Sequence, residues 1–100
     1  MEKTGIIERA IFAIKPGEAD DFENAFAQAA PLIRGAKGCR EANLHRGIEN
    51  PDSFILLVEW ATLEDHMIGF RESKAFEEWR AILSPHFASP PAVEHYTAPL

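Results

Sequence analysis

The sequence predicts a single α+β domain over residues 1–100, ordered β-α-β-β-α-α-β, the split βαβ or ferredoxin-like pattern with one antiparallel sheet. Three observations carry this. Two runs of strand length, 6–14 and 53–60, are rich in Ile, Phe and Leu and are apolar on both faces. Three other runs repeat their apolar residues at helical spacing. Turn-forming Pro, Gly, Asn and Asp separate these runs, without repeats, linkers or low-complexity tracts.

The first strand, Ile6 to Ile14, is closed by Lys15-Pro16-Gly17. By alternation Ile6, Ala10, Phe12 and Ile14 share one face, and Ile7, Ile11 and Ala13 the other, so both faces need cover. Glu18, Asp20 and Asp21 then suit the positive end of a helix macrodipole. Phe22, Ala25, Phe26, Ala29 and Ile33 form the apolar stripe of that helix. Pro31 removes a backbone donor, which predicts a kinked or loosened last turn, and Gly35 and Gly38 stop the helix behind Arg34 and Lys37.

Residues 39–48 read as a weaker, more polar strand and Asn50-Pro51-Asp52 as a turn. Ser53–Trp60 is the most apolar strand, so 39–60 form an antiparallel hairpin. Thr62 caps a second helix, with Asp65 approximating a capping box, and Leu63, His66, Met67 and Phe70 share one face. Ser73 caps a third, on which Phe76, Trp79, Arg80 and Leu83 share a face. Ser84-Pro85-His86 ends it, and Pro90-Pro91 leads into a last strand, 92–97. A sheet of this type carries helices on one face only. Because its other face is apolar too, we expect a homodimer packed sheet against sheet.

Composition bounds the function. A 46% hydrophobic chain can build a core without staples, and its lone Cys39 forms no internal disulfide and pairs with no second Cys for zinc; both fit the cytoplasm. A net charge of −6 argues against nucleic acid or an anionic membrane as partner. The start, MEKTGIIERA, lacks the features of a secretory signal, and no apolar run approaches the roughly 20 residues of a membrane helix. Gly-rich phosphate loops, nucleophile elbows and a dinucleotide fingerprint are missing, so phosphoryl transfer, serine hydrolysis and hydride transfer have no support, and without a metal-spaced His pair a transition-metal site would need long-range contacts.

Two polar residues interrupt apolar helix stripes, His66 and Arg80. A buried guanidinium needs a carboxylate, water or an anionic ligand, and an apolar cavity with a few convergent polar groups is the usual ligand site of a small domain. Bland alternatives stand beside these. Arg80 can snorkel to Glu77 or solvent, His66 can be a satisfied semi-buried histidine, and Trp60 and Trp79 can be plain core aromatics. Of His45 and Arg46, on opposite faces of one strand, only one can reach a given cavity. His86 sits in a loop able to cap it, and His95 lies on the last strand.

Phe12-Ala-Ile-Lys-Pro-Gly17, Gly38-Cys39, Glu59-Trp60-Ala-Thr-Leu-Glu-Asp-His66, Ser73-Lys-Ala-Phe76 and Val93-Glu-His-Tyr96 follow one another along nearly the whole chain. In that series the chain resembles the antibiotic biosynthesis monooxygenase domain family, of dimeric α+β barrel fold. The resemblance implies a monooxygenase that works without metal or flavin on a small phenolic, quinol or polyketide-like aromatic, whose anion reacts directly with dioxygen. It implies that Arg80 steadies the anion and that His66, standing where some members have a tyrosine, exchanges a proton. Trp60, Leu56, Phe70, Phe12, Ala10 and Trp79 would line the pocket, with His86 above it. Two departures narrow the resemblance. Leu56 stands where some polyketide oxidisers have an asparagine. Ala10 and Arg80 stand where heme-degrading relatives have an asparagine and a histidine, which argues against heme degradation. A non-catalytic ligand-binding barrel, or an isomerase or lyase on the same fold, remains the alternative.

Overall fold

The computed structural model describes residues 5–100. The reading of residues 1–4 as part of a leaderless start lies outside the described residues. The elements follow the expected order: β1 (Ile6–Ala13), α1 (Ala19–Arg34), β2 (Cys39–Arg46), β3 (Ser53–Trp60), a π-helical segment (Asp65–Phe70), α2 (Lys74–Leu83), a 3₁₀ turn (Ser84–His86) and β4 (Ala92–Thr97). The fold is α+β and ferredoxin-like, with one antiparallel sheet in the order β2-β3-β1-β4. No helix among the described residues is long and apolar enough to cross a membrane.

Boundaries differ where hydrogen bonds decide them. β2 stops at Arg46 rather than Ile48, because the Gly47 amide donates to the Ser53 carbonyl at 2.7 Å and closes the hairpin loop. α1 continues past Pro31 to Arg34, and the Gly35 amide donates to the Pro31 carbonyl at 2.9 Å. The proline costs one donor without ending the helix. Gly35 stays right-handed, and the reversal falls on Gly38 at φ +83°. A Cβ there would be strained and would also strike the Asp65 side chain.

The second helix departs most from expectation. Thr62 does cap it, its hydroxyl accepting the Asp65 amide at 3.1 Å. The turn that follows is wider than an α-turn, and the Arg71 amide donates five residues back to the His66 carbonyl at 3.0 Å. Widening rotates the expected stripe apart. His66 and Phe70 point inward and are buried, whereas Leu63 and Met67 are exposed. Ser73 then caps α2 as expected, accepting the Phe76 amide at 3.2 Å.

The sheet has two unlike faces. Toward the helices point Glu8, Ala10 and Phe12 of β1, Phe54, Leu56, Val58 and Trp60 of β3, and Ala42 of β2, all buried. Phe22 of α1 meets Phe54 at 4.9 Å and Phe12 at 5.6 Å, both edge-on. The opposite face sets Ile11 against Ile55 and Arg9 against Leu57, and no described element covers it.

Candidate functional site

Alternation along β1 puts Glu8 on the same inward face as Ala10 and Phe12, opposite His95 of β4 in the sheet register. β3 ends there with Trp60, and the π-helical turn brings His66 down over the same spot. The four side chains form one network, buried except at half-buried His95. The Trp60 indole N–H donates to Glu8 Oε1 at 2.9 Å. His66 Nε2 lies 3.2 Å from that same oxygen. His66 Nδ1 shares a hydrogen bond with His95 Nε2 at 2.9 Å. The imidazole of His66 stacks on the Trp60 indole at 5.1 Å and 16° between planes.

Glu8 and His66 are each only 4% exposed, so burial sets their protonation. Desolvation raises the Glu8 carboxyl, opposed by the Trp60 hydrogen bond and the Arg71 charge. Desolvation lowers His66 to about 4, helped by the proximity of His95 and Arg71. His66 is therefore neutral at neutral pH, and both of its ring nitrogens already face protein groups. Glu8 Oε2 has no partner among the described residues.

The network forms one end of a cavity of about 280 Å³ between the sheet and the segment 66–87. Its walls are Ala10, Phe12, Ile33, Leu56, Phe70, Phe76, Trp79, Phe87, Pro91 and Val93, and its polar lining is Glu8, His66, Arg71 and Arg80. The volume lies near the lower limit of small-molecule sites, enough for a compact aromatic. Phe70 meets Phe76 and Trp79 edge-on, holding the roof rigid.

Most residues expected at the site are brought together. His66, Arg80, Leu56, Phe70, Phe12, Ala10 and Trp79 all line the cavity. Trp60 does not, being wholly buried behind Glu8 and His66. His86 does not cap the opening. Its Nδ1 is 2.9 Å from Glu18 at the start of α1, and Phe87 takes the wall position instead. Neither His45 nor Arg46 reaches the cavity: His45 faces the uncovered side, and Arg46 pairs with Asp20 and Glu23 of α1 at 3.0 and 2.8 Å. Arg80 is exposed at the rim and makes no ion pair with Glu77.

Sequence reasoning missed Glu8, Arg71 and the participation of His95. For Glu8 a signal was present, since it is the one acid on the inward parity of an apolar strand. Arg71 had none, because its position depends on the π-turn. No group of three or more His, Cys, Asp or Glu among the described residues could hold a metal ion.

A family model described as antibiotic biosynthesis monooxygenase matches residues 5–82. The uncharacterized protein YczJ of Bacillus subtilis (strain 168) is 46% identical over 89 residues, covering 89% of this chain and 94% of YczJ. A crystal structure from Bordetella bronchiseptica, of a candidate antibiotic biosynthesis monooxygenase, superposes with a TM-score of 0.93 at 43% identity, covering 98% of this chain and all of that one. A conserved protein of Methanosarcina mazei Go1 has the same fold, with a TM-score of 0.82 at 22% identity over 93% of this chain and 91% of that one.

Proposed function

The chain belongs to the antibiotic biosynthesis monooxygenase family, and from that premise we propose that it oxygenates a small, weakly acidic aromatic with dioxygen. The observation that carries this reading is the cavity itself: an aromatic-walled space with a buried acid–base group at one end and two guanidinium groups along its lining. Such a space suits a phenol, quinol or enolisable ring that must lose a proton before it reacts. Arg71 and Arg80 would then hold the resulting anion.

The electron count closes on substrate and oxygen alone. A ring methylene loses a proton, and its carbanion adds to dioxygen to give a hydroperoxide. Loss of the second C–H proton with cleavage of the O–O bond leaves a ketone and one water. The carbon gives up four electrons, and dioxygen takes four.

The same reading includes a homodimer through the uncovered sheet face. Ile7, Ile11, Ile55 and Leu57 would lie against their counterparts, which a domain of this size otherwise leaves in water. Sedimentation of a clean monomer at micromolar concentration would remove the dimer from the proposal.

Oxygen uptake on a panel of hydroquinones and anthrones is the direct test of the activity. We expect uptake that falls at least tenfold in Arg80→Ala. An inactive protein that still binds these compounds in the cavity would favour a binding barrel instead.

A further inference from the structure

We propose that Glu8 is the group that takes the substrate's proton, from a carbon or oxygen acid, and that Trp60 and His66 act as positioning residues for that carboxyl while Arg71 offsets its charge. This rests on the reading of the cavity as an oxygenase site and assigns its chemistry to atoms.

The geometry excludes the obvious choice. His66 lines the cavity, but its Nδ1 is engaged by His95 at 2.9 Å and its Nε2 lies 3.2 Å from Glu8. An imidazole with both nitrogens turned to protein presents no lone pair to a ligand. Glu8 differs. Oε1 takes the Trp60 N–H, and Oε2 remains without a partner in a residue that lines the cavity. Of the network's unengaged proton acceptors among the described residues, it is the one on a residue that lines the cavity. His66 and Trp60 converge on Oε1, which fixes the carboxyl plane and leaves the second oxygen for the ligand.

Charge then shows where the proton's electron pair can be held. Six arginines lie among the described residues. Arg9 pairs with Glu94, Arg40 with Glu59 and Arg46 with Asp20 and Glu23, while Arg34 donates twice to the Ala42 carbonyl. Among the described residues Arg71 and Arg80 pair with no acid, and both line the cavity. In the resting site Arg71 offsets the Glu8 carboxylate. When the acid gives its proton to Oε2, the electron pair of the broken C–H or O–H bond stays on the ligand. The negative charge thus moves from Glu8 to the ligand, still beside the arginines, and the net charge of the site is unchanged. In the oxygenation the neutral Glu8 carboxyl returns its proton to the peroxide oxygen, so nothing is consumed.

The groups facing Glu8 are Trp60 of β3, His66 of the π-helical turn, Arg71 after it, His95 of β4 and, electrostatically, Cys39 of β2. Arg71 and the Trp60 N–H both favour the ionised carboxyl, so removing either must raise its titration point. Carbon-13 NMR of the Glu8 carboxyl in the ligand-free protein tests this directly. We expect a value above that of an exposed glutamate, moving further up in Arg71→Gln and Trp60→Phe. Arg71 is exposed, so its variant reports even if Trp60→Phe folds poorly. A Glu8 that titrates like a surface carboxylate overturns the assignment.

The second test separates proton transfer from oxygenation. Under argon in deuterated buffer, proton NMR follows exchange of the anthrone methylene protons; in air, an electrode follows oxygen uptake. We expect Glu8→Gln to lose at least about 100-fold in exchange, the range of a general base. We expect Arg71→Gln both to slow exchange and to shift its acid limb to higher pH. Oxygen uptake that survives Glu8→Gln within threefold overturns the assignment and leaves the oxygenase reading intact. Exchange that depends on Glu8 without oxygen uptake upholds the assignment and removes the oxygenase reading. Exchange lost in His66→Gln but kept in Glu8→Gln names His66 as the base and overturns ours.

Discussion

The two halves of the helix layer solve the same packing problem differently. α1 is a regular α-helix whose stripe, Phe22, Ala25, Phe26, Ala29 and Ile33, is buried along its length against the sheet. The segment from Asp65 to Leu83 covers the other half in two pieces, a π-helical turn and a short α-helix, and leaves a cavity of about 280 Å³ beneath them. The filled half is closely packed, and the hollow half encloses the cavity. Regular period gives close packing, whereas a broken period leaves room for a ligand and lets polar groups turn inward.

That contrast can be broken by mutation, and the largest effect is expected on the filled side. Phe22→Ala should cost about 3–5 kcal/mol by urea denaturation, because Phe22 is wholly buried among Phe12, Phe54 and Phe87. Phe76→Ala, half-buried against the cavity, should cost less than half as much. Equal losses would show that the two halves are equally packed.

The next effect is in pH. The folded-state value of His66 lies at about 4, below its ordinary 6.5, so the unfolded chain takes up that proton first. Stability should therefore fall as pH drops from 6.5 to about 4, by on the order of 3 kcal/mol from this group alone. Glu8 acts with the opposite sign. Its raised folded-state value means that the native protein binds that proton first, which stabilises the fold over the same acid range. Glu8→Gln should make the acid loss steeper and His66→Phe should flatten it, both measured by denaturation between pH 7 and 4.

Smaller still, Ser73→Ala should cost about 1 kcal/mol, the worth of one N-cap, since its hydroxyl holds the Phe76 amide at the start of α2. Arg80→Ala should leave stability within about 0.5 kcal/mol, as expected for an exposed side chain with no partner among the described residues.

The same contrast explains what could be read in advance. The α1 stripe, both caps and the β3 strand follow from periodicity and local chemistry, and the structure bears them out. The expected face Leu63–His66–Met67–Phe70 assumes α-helical spacing and splits when the turn widens. Pairings across the sheet are longer-range still. That Glu8 of β1 meets His95 of β4 depends on register, 87 residues apart in the chain, which no local pattern encodes. His66 was legible as a polar residue on an apolar stripe, but its partners were not. His86 illustrates the reverse: loop position suggested the cavity, while contacts with Glu18 and Phe22 hold it elsewhere.

The widened turn has one further consequence. A π-turn holds one residue more than the α-turn it replaces. Removing a residue such as exposed Gly69 would let Asp65–Phe70 rewind as an α-helix, swinging Phe70 about the helix axis and lowering the roof. Among proteins of this architecture, then, the capacity of the chamber can be tuned by chain length, one insertion or deletion at a time. The sheet beneath and the residues of its floor need not change at all.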